Sequence, residues 1–281
     1  MTNNTDGANL ESGCLPTAWT DERDAVGGCG PAFRVHFFNA GLIVVRQSGR
    51  THFEKPFLYL LVGEERAMLV DTGAPGVEVG AEVRRLLGFG RDARATRPLI
   101  VTHTHGHGDH VAGDGQFAGM PDTTLVGTSI VDVSKFFGIE RWPDDVGSID
   151  LGGRLVDVVP IPGHEAASVA FYDRRTGILL SGDLLYPGRL YVRDAAAFLA
   201  SVKRLVAFTR TRPVAHILGA HIENRRTPFL DYPEGTAFQP DEHSLELGRA
   251  HLLELDAALD AMGSGLERRA LRDFTVWPLT P

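Results

Sequence analysis

Eleven histidines occur in this 281-residue chain, and four of them fall between positions 103 and 110. Residues 102–113 read T-H-T-H-G-H-G-D-H-V-A-G, with a core of His105-x-His107-x-Asp109-His110. Imidazole and carboxylate donors without a thiolate suit Zn2+, and also Fe or Mn. On an extended segment His105 and His107 project to one side, because side chains alternate with period two. Asp109 and His110 then fall at the turn into a following helix, where the chain can swing them toward a second ion. Gly106 and Gly108 remove side-chain bulk, so the backbone can wrap closely around an ion. An Asp-His pair four and five positions past the first ligand exists when counting from His105. Counting from His103 lands on His107 and Gly108, so His103 reads as a strand residue or a support for the ligands.

The elements that must position this cluster are those of an α/β protein. Residues 99–102 form a short apolar strand running directly into the histidines. Upstream, residues 33–46 read as strand, broken around Asn39-Ala40-Gly41, and residues 56–62 and 67–70 form a hairpin around Gly63-Glu64-Glu65-Arg66. Residues 76–87 have helical spacing and stop at Gly88. Downstream come a helix at 129–137, strands at 154–161, 168–172 and 178–181, a helix at 195–208 and a strand at 214–218. A long helix, about 240–262, closes the pattern. Strands precede helices in two passes, as in two half-domains pressed sheet against sheet. Residues 1–32, rich in Gly, Asn, Thr and Asp, read as a loosely packed extension, and 33–281 as one domain.

Charge and composition narrow the partners. Lys+Arg of 28 against Asp+Glu of 36 gives a net charge of −8. That balance opposes a nucleic-acid scaffold, which needs Lys and Arg to neutralise phosphates, and a polybasic membrane-surface protein. The first thirty residues have no basic, apolar leader pattern, and no stretch approaches the ~20 apolar residues of a membrane span, so the expected location is the cytoplasm. Cys14 and Cys29 lack C-x-x-C spacing and read as two free thiols of a reducing compartment. The expected partner is a small-molecule substrate, with neither nucleic acid nor membrane; a homodimer is left open.

With these motifs in place, the sequence resembles the metallo-β-lactamase fold superfamily. H-x-H-x-D-H is intact, and four landmarks accompany it in order: Val70-Asp71-Thr72-Gly73, Pro162-Gly163-His164, Ser181-Gly182-Asp183 and Gly219-Ala220-His221. The resemblance covers roughly residues 33–221. It implies a four-layer αββα sandwich, two mixed β-sheets flanked by helices. It also implies that His105, His107 and His164 hold one metal, that Asp109, His110 and His221 hold a second, and that Asp183 bridges them. Asp71 would orient the histidine loop without ligating. The implied cofactors are two Zn2+ per chain, with Fe or Mn as alternatives. His36, His52, His103, His216, His243 and His251 are left without chemistry.

Such a centre lowers the pKa of a bridging water from about 15.7 toward ~7, so hydroxide is present at neutral pH to attack a carbonyl. The reaction implied is hydrolysis of a small ester, lactone or thioester, with Asp109 also taking part in proton transfer. The commonest zinc β-lactamases use Cys where this chain has Asp183, which argues against penicillin as the native substrate. The all-His/Asp set resembles instead glyoxalase II-like thioesterases and N-acyl homoserine lactonases. In the lactonases a Tyr three residues past the bridging Asp assists the substrate carbonyl, and Tyr186 has that spacing; its other reading is packing under Pro187-Gly188. The short, acidic segment after His221 departs from glyoxalase II and argues against a glutathione thioester. The loop 47–55 is a candidate flap, and Phe53, with Phe57, Trp142, Tyr186 and Tyr191, is a candidate pocket lining. The alternative activity is that of a non-haem iron oxidoreductase resembling persulfide dioxygenases; a nuclease is disfavoured by the acidic charge.

Overall fold

The computed structural model describes residues 10–20, 22–24, 28–88, 97–263 and 265–279. Two antiparallel hairpins begin the first sheet: β1 (Phe33–Asn39) with β2 (Leu42–Gln47), then β3 (Phe57–Val62) with β4 (Ala67–Val70). Asn39 closes the first turn, its Oδ1 accepting from the backbone N–H of Gly41 and Leu42, each at 2.9 Å. After α1 (Val79–Gly88), β5 (Leu99–Thr102) joins β4 in parallel. The single turn α2 (Gly108–Val111) leads on to β6 (Thr123–Leu125), which completes the six-stranded order β1-β2-β3-β4-β5-β6.

The second half starts with α3 (Ile130–Phe137), then β7 (Gly147–Asp150), β8 (Leu155–Pro160), β9 (Val169–Asp173) and β10 (Ile178–Gly182). β11 (Arg189–Val192) and α4 (Ala195–Phe208) precede β12 (His216–Gly219), β13 (Glu246–Leu247) and α5 (Arg249–Met262). The second sheet has the order β13-β12-β10-β9-β8-β7. β14 (Arg269–Ala270) and β15 (Thr275–Pro278) end the chain and pair with β11 in a third sheet of order β11-β15-β14.

Period-two patterning sets the layers. Ile43, Val45, Leu58, Leu60, Leu69 and Val101 point outward onto Val79, Val83 and Leu86 of α1. The alternate residues Val44, Tyr59, Leu61, Met68, Val70 and Ile100 point inward and meet Val156, Val158, Val169, Phe171 and Leu180 of the second sheet. That sheet's other face, with Val159, Ala170, Tyr172, Leu179 and Ile217, carries Phe198, Val202 and Leu205 of α4 and Leu252, Leu255 and Leu259 of α5. The result is the four-layer αββα sandwich. Each such fully buried aliphatic or Phe side chain contributes ~1.5–3 kcal/mol, so the scaffold holding the site is stiff.

Strand direction decides where the site lies. β4 and β5 run parallel, as do β10 and β12, and β8 runs with β10 because each is antiparallel to β9. The loops after β4, β5, β8, β10 and β12 carry Asp71, the histidine cluster, His164, Asp183 and His221.

Three expectations need correction. The described part of the N-terminal extension is docked rather than loose. Trp19 is 3% exposed and meets Phe57 edge-on at 5.0 Å, while the N–H groups of Glu11 and Cys14 donate to the carbonyls of Arg175 and Phe38. One buried indole gives this polar segment an apolar anchor. The closing helix starts at Arg249, not near 240, because Leu245 and Leu247 are buried around β13, and Gly248 is extended (φ −126°). A third small sheet is present, built from strands too short to show alternation. Cys14 and Cys29 are exposed and unbridged, and among the described residues no helix is long and apolar enough to cross a membrane.

Candidate metal centre

The site is built from Asp71 outward. It follows β4 with φ +68°, a left-handed conformation that Asp tolerates better than most residues, and it is fully buried. Its carboxylate accepts from Thr104 N at 2.7 Å and Thr104 Oγ1 at 2.9 Å, pinning the histidine loop. It also accepts from His110 Nδ1 at 2.9 Å. Because Thr104 Oγ1 donates to Asp71, it accepts from His105 Nδ1, 3.1 Å away. His164 Nδ1 donates to the Tyr191 carbonyl at 2.8 Å, and His221 Nδ1 to the Glu54 carbonyl at 3.1 Å. These outward bonds fix the rings so that each Nε2 faces inward.

The inward atoms form two triads. His105 Nε2 and His164 Nε2 lie 2.9 and 3.0 Å from His107 Nδ1. Asp109 Oδ2 lies 3.3 Å from His110 Nε2 and 3.2 Å from His221 Nε2. Asp183 stands between them. Its Oδ2 is 3.8 Å from His105 and 3.4 Å from His164, and its Oδ1 is 3.7 Å from His110 and 3.5 Å from His221. Within each of the groups His105-His107-His164, His105-His110-Asp183 and Asp109-His110-His221, the donor atoms lie within 4.8 Å of one another. His110 Nε2 and Asp183 Oδ1 are buried without a hydrogen-bond partner, an arrangement that costs free energy unless a ligand completes it. Three imidazoles on one side, and two with a carboxylate on the other, fit a pair of divalent ions.

Glycine is needed where the ligand loops touch the scaffold, not inside the histidine loop. At Gly182, φ +52°, a Cβ would come 2.8 Å from Thr104 Cβ; at Gly163, φ +137°, it would meet the Phe198 backbone at 2.4 Å. Gly108 has open space around it, and a Cβ at Gly106 would come no nearer than 3.3 Å to Thr128. Packing against the rest of the protein therefore does not demand glycine at 106 or 108.

Electrostatics divide the two triads. Burial, reinforced by His110, holds His105 well below the usual histidine pKa. Burial with the neighbouring His164 brings His107 down to about 4. Burial pushes His110 and His221 the same way, but carboxylates more than reverse it. Asp71 and Asp183 hold His110 well above its ordinary value, and Asp183 and Asp109 hold His221 up at about 9. Burial would raise the two aspartates, yet His110 holds Asp109, and His221 with His110 holds Asp183, well below the carboxylate range.

A cavity of about 370 Å3 opens over the centre, lined by His107, Asp109, His164, Asp183 and His221 together with Tyr186, Tyr191, Arg193, Trp277 and Leu279. Glu54, Tyr191, Glu223 and Glu234 line both it and a side chamber of about 110 Å3, where Phe53 sits. Tyr191 is thus at the pocket, and Phe53, 38% exposed and stacked on His52, is at its side chamber. Trp142 packs instead against the core between the sheets, and Phe57 is fully buried beneath Trp19. Tyr186 presents its ring to the cavity, but its buried hydroxyl donates to the Arg189 carbonyl. The chain turns through Pro187-Gly188 so that the Arg189 carbonyl meets this hydroxyl, the arrangement the packing reading expects. The loop 47–55 is fastened at its base: Gln47 Oε1 accepts from Ala74 N, and Lys55 Nζ donates to the Thr236 carbonyl at 2.8 Å. Burial, with Arg46 close by, pulls Lys55 down to about 7. His103 bonds Asp114 at 2.8 Å, which in turn accepts from Thr72. Sequence reasoning missed Arg193, Trp277 and Leu279, whose position depends on the pairing of β15 with β11.

Residues 55–255 match the family described as Metallo-beta-lactamase superfamily, and the chain belongs to that superfamily. It is similar to a hydroxyacylglutathione hydrolase of Aeromonas hydrophila subsp. hydrophila, 27% identical over 198 residues, 69% of this chain and 70% of the relative. It is also similar to the acyl-coenzyme A thioesterase MBLAC2 of Bos taurus, 25% identical over 202 residues, 58% of this chain and 72% of the relative. Among solved structures, a metallo-beta-lactamase from Pontibacter korlensis aligns with a TM-score of 0.54 at 16% identity, over 81% of this chain and 99% of that one. At that identity the likeness speaks for the fold alone.

Proposed function

We propose that this superfamily hydrolase cleaves a small acyl thioester or ester at a dinuclear zinc centre. One observation carries the proposal: Asp183 turns one carboxylate oxygen toward His105 and His164 and the other toward His110 and His221. His105, His107 and His164 would hold one ion, Asp109, His110 and His221 the other, and Asp183 both. Such a pair would supply a lowered pKa for bound water and polarisation of the substrate carbonyl.

The chain's own residues do the rest. Asp71 and the carbonyls of Glu54 and Tyr191 keep the imidazoles aimed, which spares their reorientation during the reaction. Asp109, half-buried and open to the cavity, is placed to pass a proton from the attacking water toward the departing thiol or alcohol. Tyr191, Trp277 and Leu279 supply an apolar wall for the acyl group. A thioester is favoured over a lactone because the Tyr186 hydroxyl is committed to Arg189, and because the two relatives described above are named as an acylglutathione hydrolase and a thioesterase.

A rate panel of acyl thioesters, lactones and a cephalosporin on the zinc-loaded enzyme tests the reading. Thioesters should lead in kcat/KM by about tenfold or more, a difference of ~1.4 kcal/mol in the barrier. A preparation that holds one iron, consumes oxygen with persulfides and is inert on every ester would overturn it.

A further inference from the structure

We infer that Arg193 is the specificity-determining residue of this site, binding a carboxylate that the substrate carries away from the bond to be cleaved. The inference rests on the hydrolase reading and names its substrate class, an acyl thioester or ester with a free carboxylate.

Period two along β11 and the residue after it sends Leu190 and Val192 into the core and leaves Arg189, Tyr191 and Arg193 on the cavity face. Arg189 is spent: its guanidinium pairs with Glu223 at 2.7 Å and Asp231 at 2.9 Å. Arg193 is exposed, lines the chamber beside His107 and His164, and makes no ion pair among the described residues. Its charge reaches the centre, being one of the influences that lower His107. The backbone beneath it is fixed. The N–H groups of Arg193 and Asp194 both donate to the Gly163 carbonyl at 2.9 Å, and the Asp194 side chain is occupied in capping α4 at Ala197 N. Gly163 adjoins His164, so the backbone that carries Arg193 and the ligand share one support.

The part of the lining shared with the side chamber is acidic. Glu54, Glu223 and Glu234 face both this chamber and the side chamber, whereas Arg193 faces this chamber alone. An anionic substrate group is therefore repelled from the side chamber and attracted to the His107 side, where Arg193 stands. A guanidinium fork matches a carboxylate with two parallel hydrogen bonds, so it selects geometry as well as charge.

The test uses paired acyl thioesters ending in a carboxylate or in the corresponding carboxamide, on the zinc-loaded enzyme. Wild type should prefer the carboxylate by about tenfold or more in kcat/KM, as a charge-assisted hydrogen bond implies. Arg193→Gln should bring that ratio near one through the KM of the carboxylate, and Arg193→Glu should invert it, with zinc content and Tm as in wild type. A ratio equal in Arg193→Gln and wild type overturns the inference. Calorimetric binding of glutarate against its monoamide decides it without turnover: wild type should favour glutarate and Arg193→Gln should not, and equal preference in both proteins overturns it. If neither thioester is cleaved, the hydrolase reading falls while the glutarate comparison still judges Arg193.

Discussion

The two triads that meet at Asp183 use the same imidazole ring in opposite states. Around His105 and His107 there is burial and further imidazole, and both rings are pushed toward the neutral form, His107 to about 4. Around His110 and His221 there are Asp71, Asp109 and Asp183, and both rings are held protonated, His221 up to about 9. Neighbouring carboxylates, not depth in the protein, make the difference, since His105 and His110 are both buried yet shift in opposite directions. The consequence is thermodynamic. At neutral pH His105 and His107 offer their lone pairs directly, whereas His110 and His221 must exchange protons for metal.

The largest blow to that division is removal of the group the halves share. Asp183→Ala should lower kcat/KM by at least about a thousandfold, several kcal/mol of lost transition-state stabilisation, and drop zinc below two per chain by elemental analysis. Two tightly held ions in that variant would show that Asp183 does not join the halves. Asp71→Asn cuts less deeply and on one side. Its lost bond to His110 should weaken zinc at the second triad by ~10–100-fold while the first keeps its affinity. Equal weakening of both, measured by competition with a chelator, would make Asp71 a general structural residue.

Proton linkage sharpens the contrast next. His221 is raised from 6.5 to about 9 in the folded chain, so its pairing with Asp109 and Asp183 stabilises the metal-free protein fully below pH 6.5. That contribution should disappear as pH rises through 9, a loss of ~1–3 kcal/mol in urea denaturation. A metal-free protein equally stable at pH 6.5 and 9 would contradict the assignment. The smallest change is expected at Tyr186. Tyr186→Phe removes a hydroxyl already bound to the Arg189 carbonyl, so stability should fall by about 1 kcal/mol, with less than about a twofold change in kcat. A large loss of rate with zinc retained would return that hydroxyl to the substrate.

The legibility of the molecule follows the range of its interactions. His105, His107, Asp109 and His110 are tied by spacing within one loop, and His164, Asp183 and His221 each stand just past a strand whose apolar run is plain. Both β1–β4 hairpins and α4 are visible for the same reason, as period two and period 3.6 are local signals. The pocket wall is not local. Tyr191 meets Trp277 across the parallel pairing of β11 with β15, far apart in sequence and in strands of four residues each, too short for alternation to stand out in the sequence. Leu245 and Leu247 fit a helical stripe and a short strand equally well, and pairing with β12 decides for the strand. Tyr186 shows the same limit at one residue. Spacing places its ring, but the turn after it decides where its hydroxyl goes.

The most direct test of a centre with two unlike halves is a zinc titration of the metal-stripped protein at pH 7, by calorimetry in buffers of differing ionisation enthalpy. Two equivalents should bind, the first with little proton release and the second releasing at least about one proton. One class of sites with identical proton release for both equivalents, or a single equivalent in all, would contradict the account.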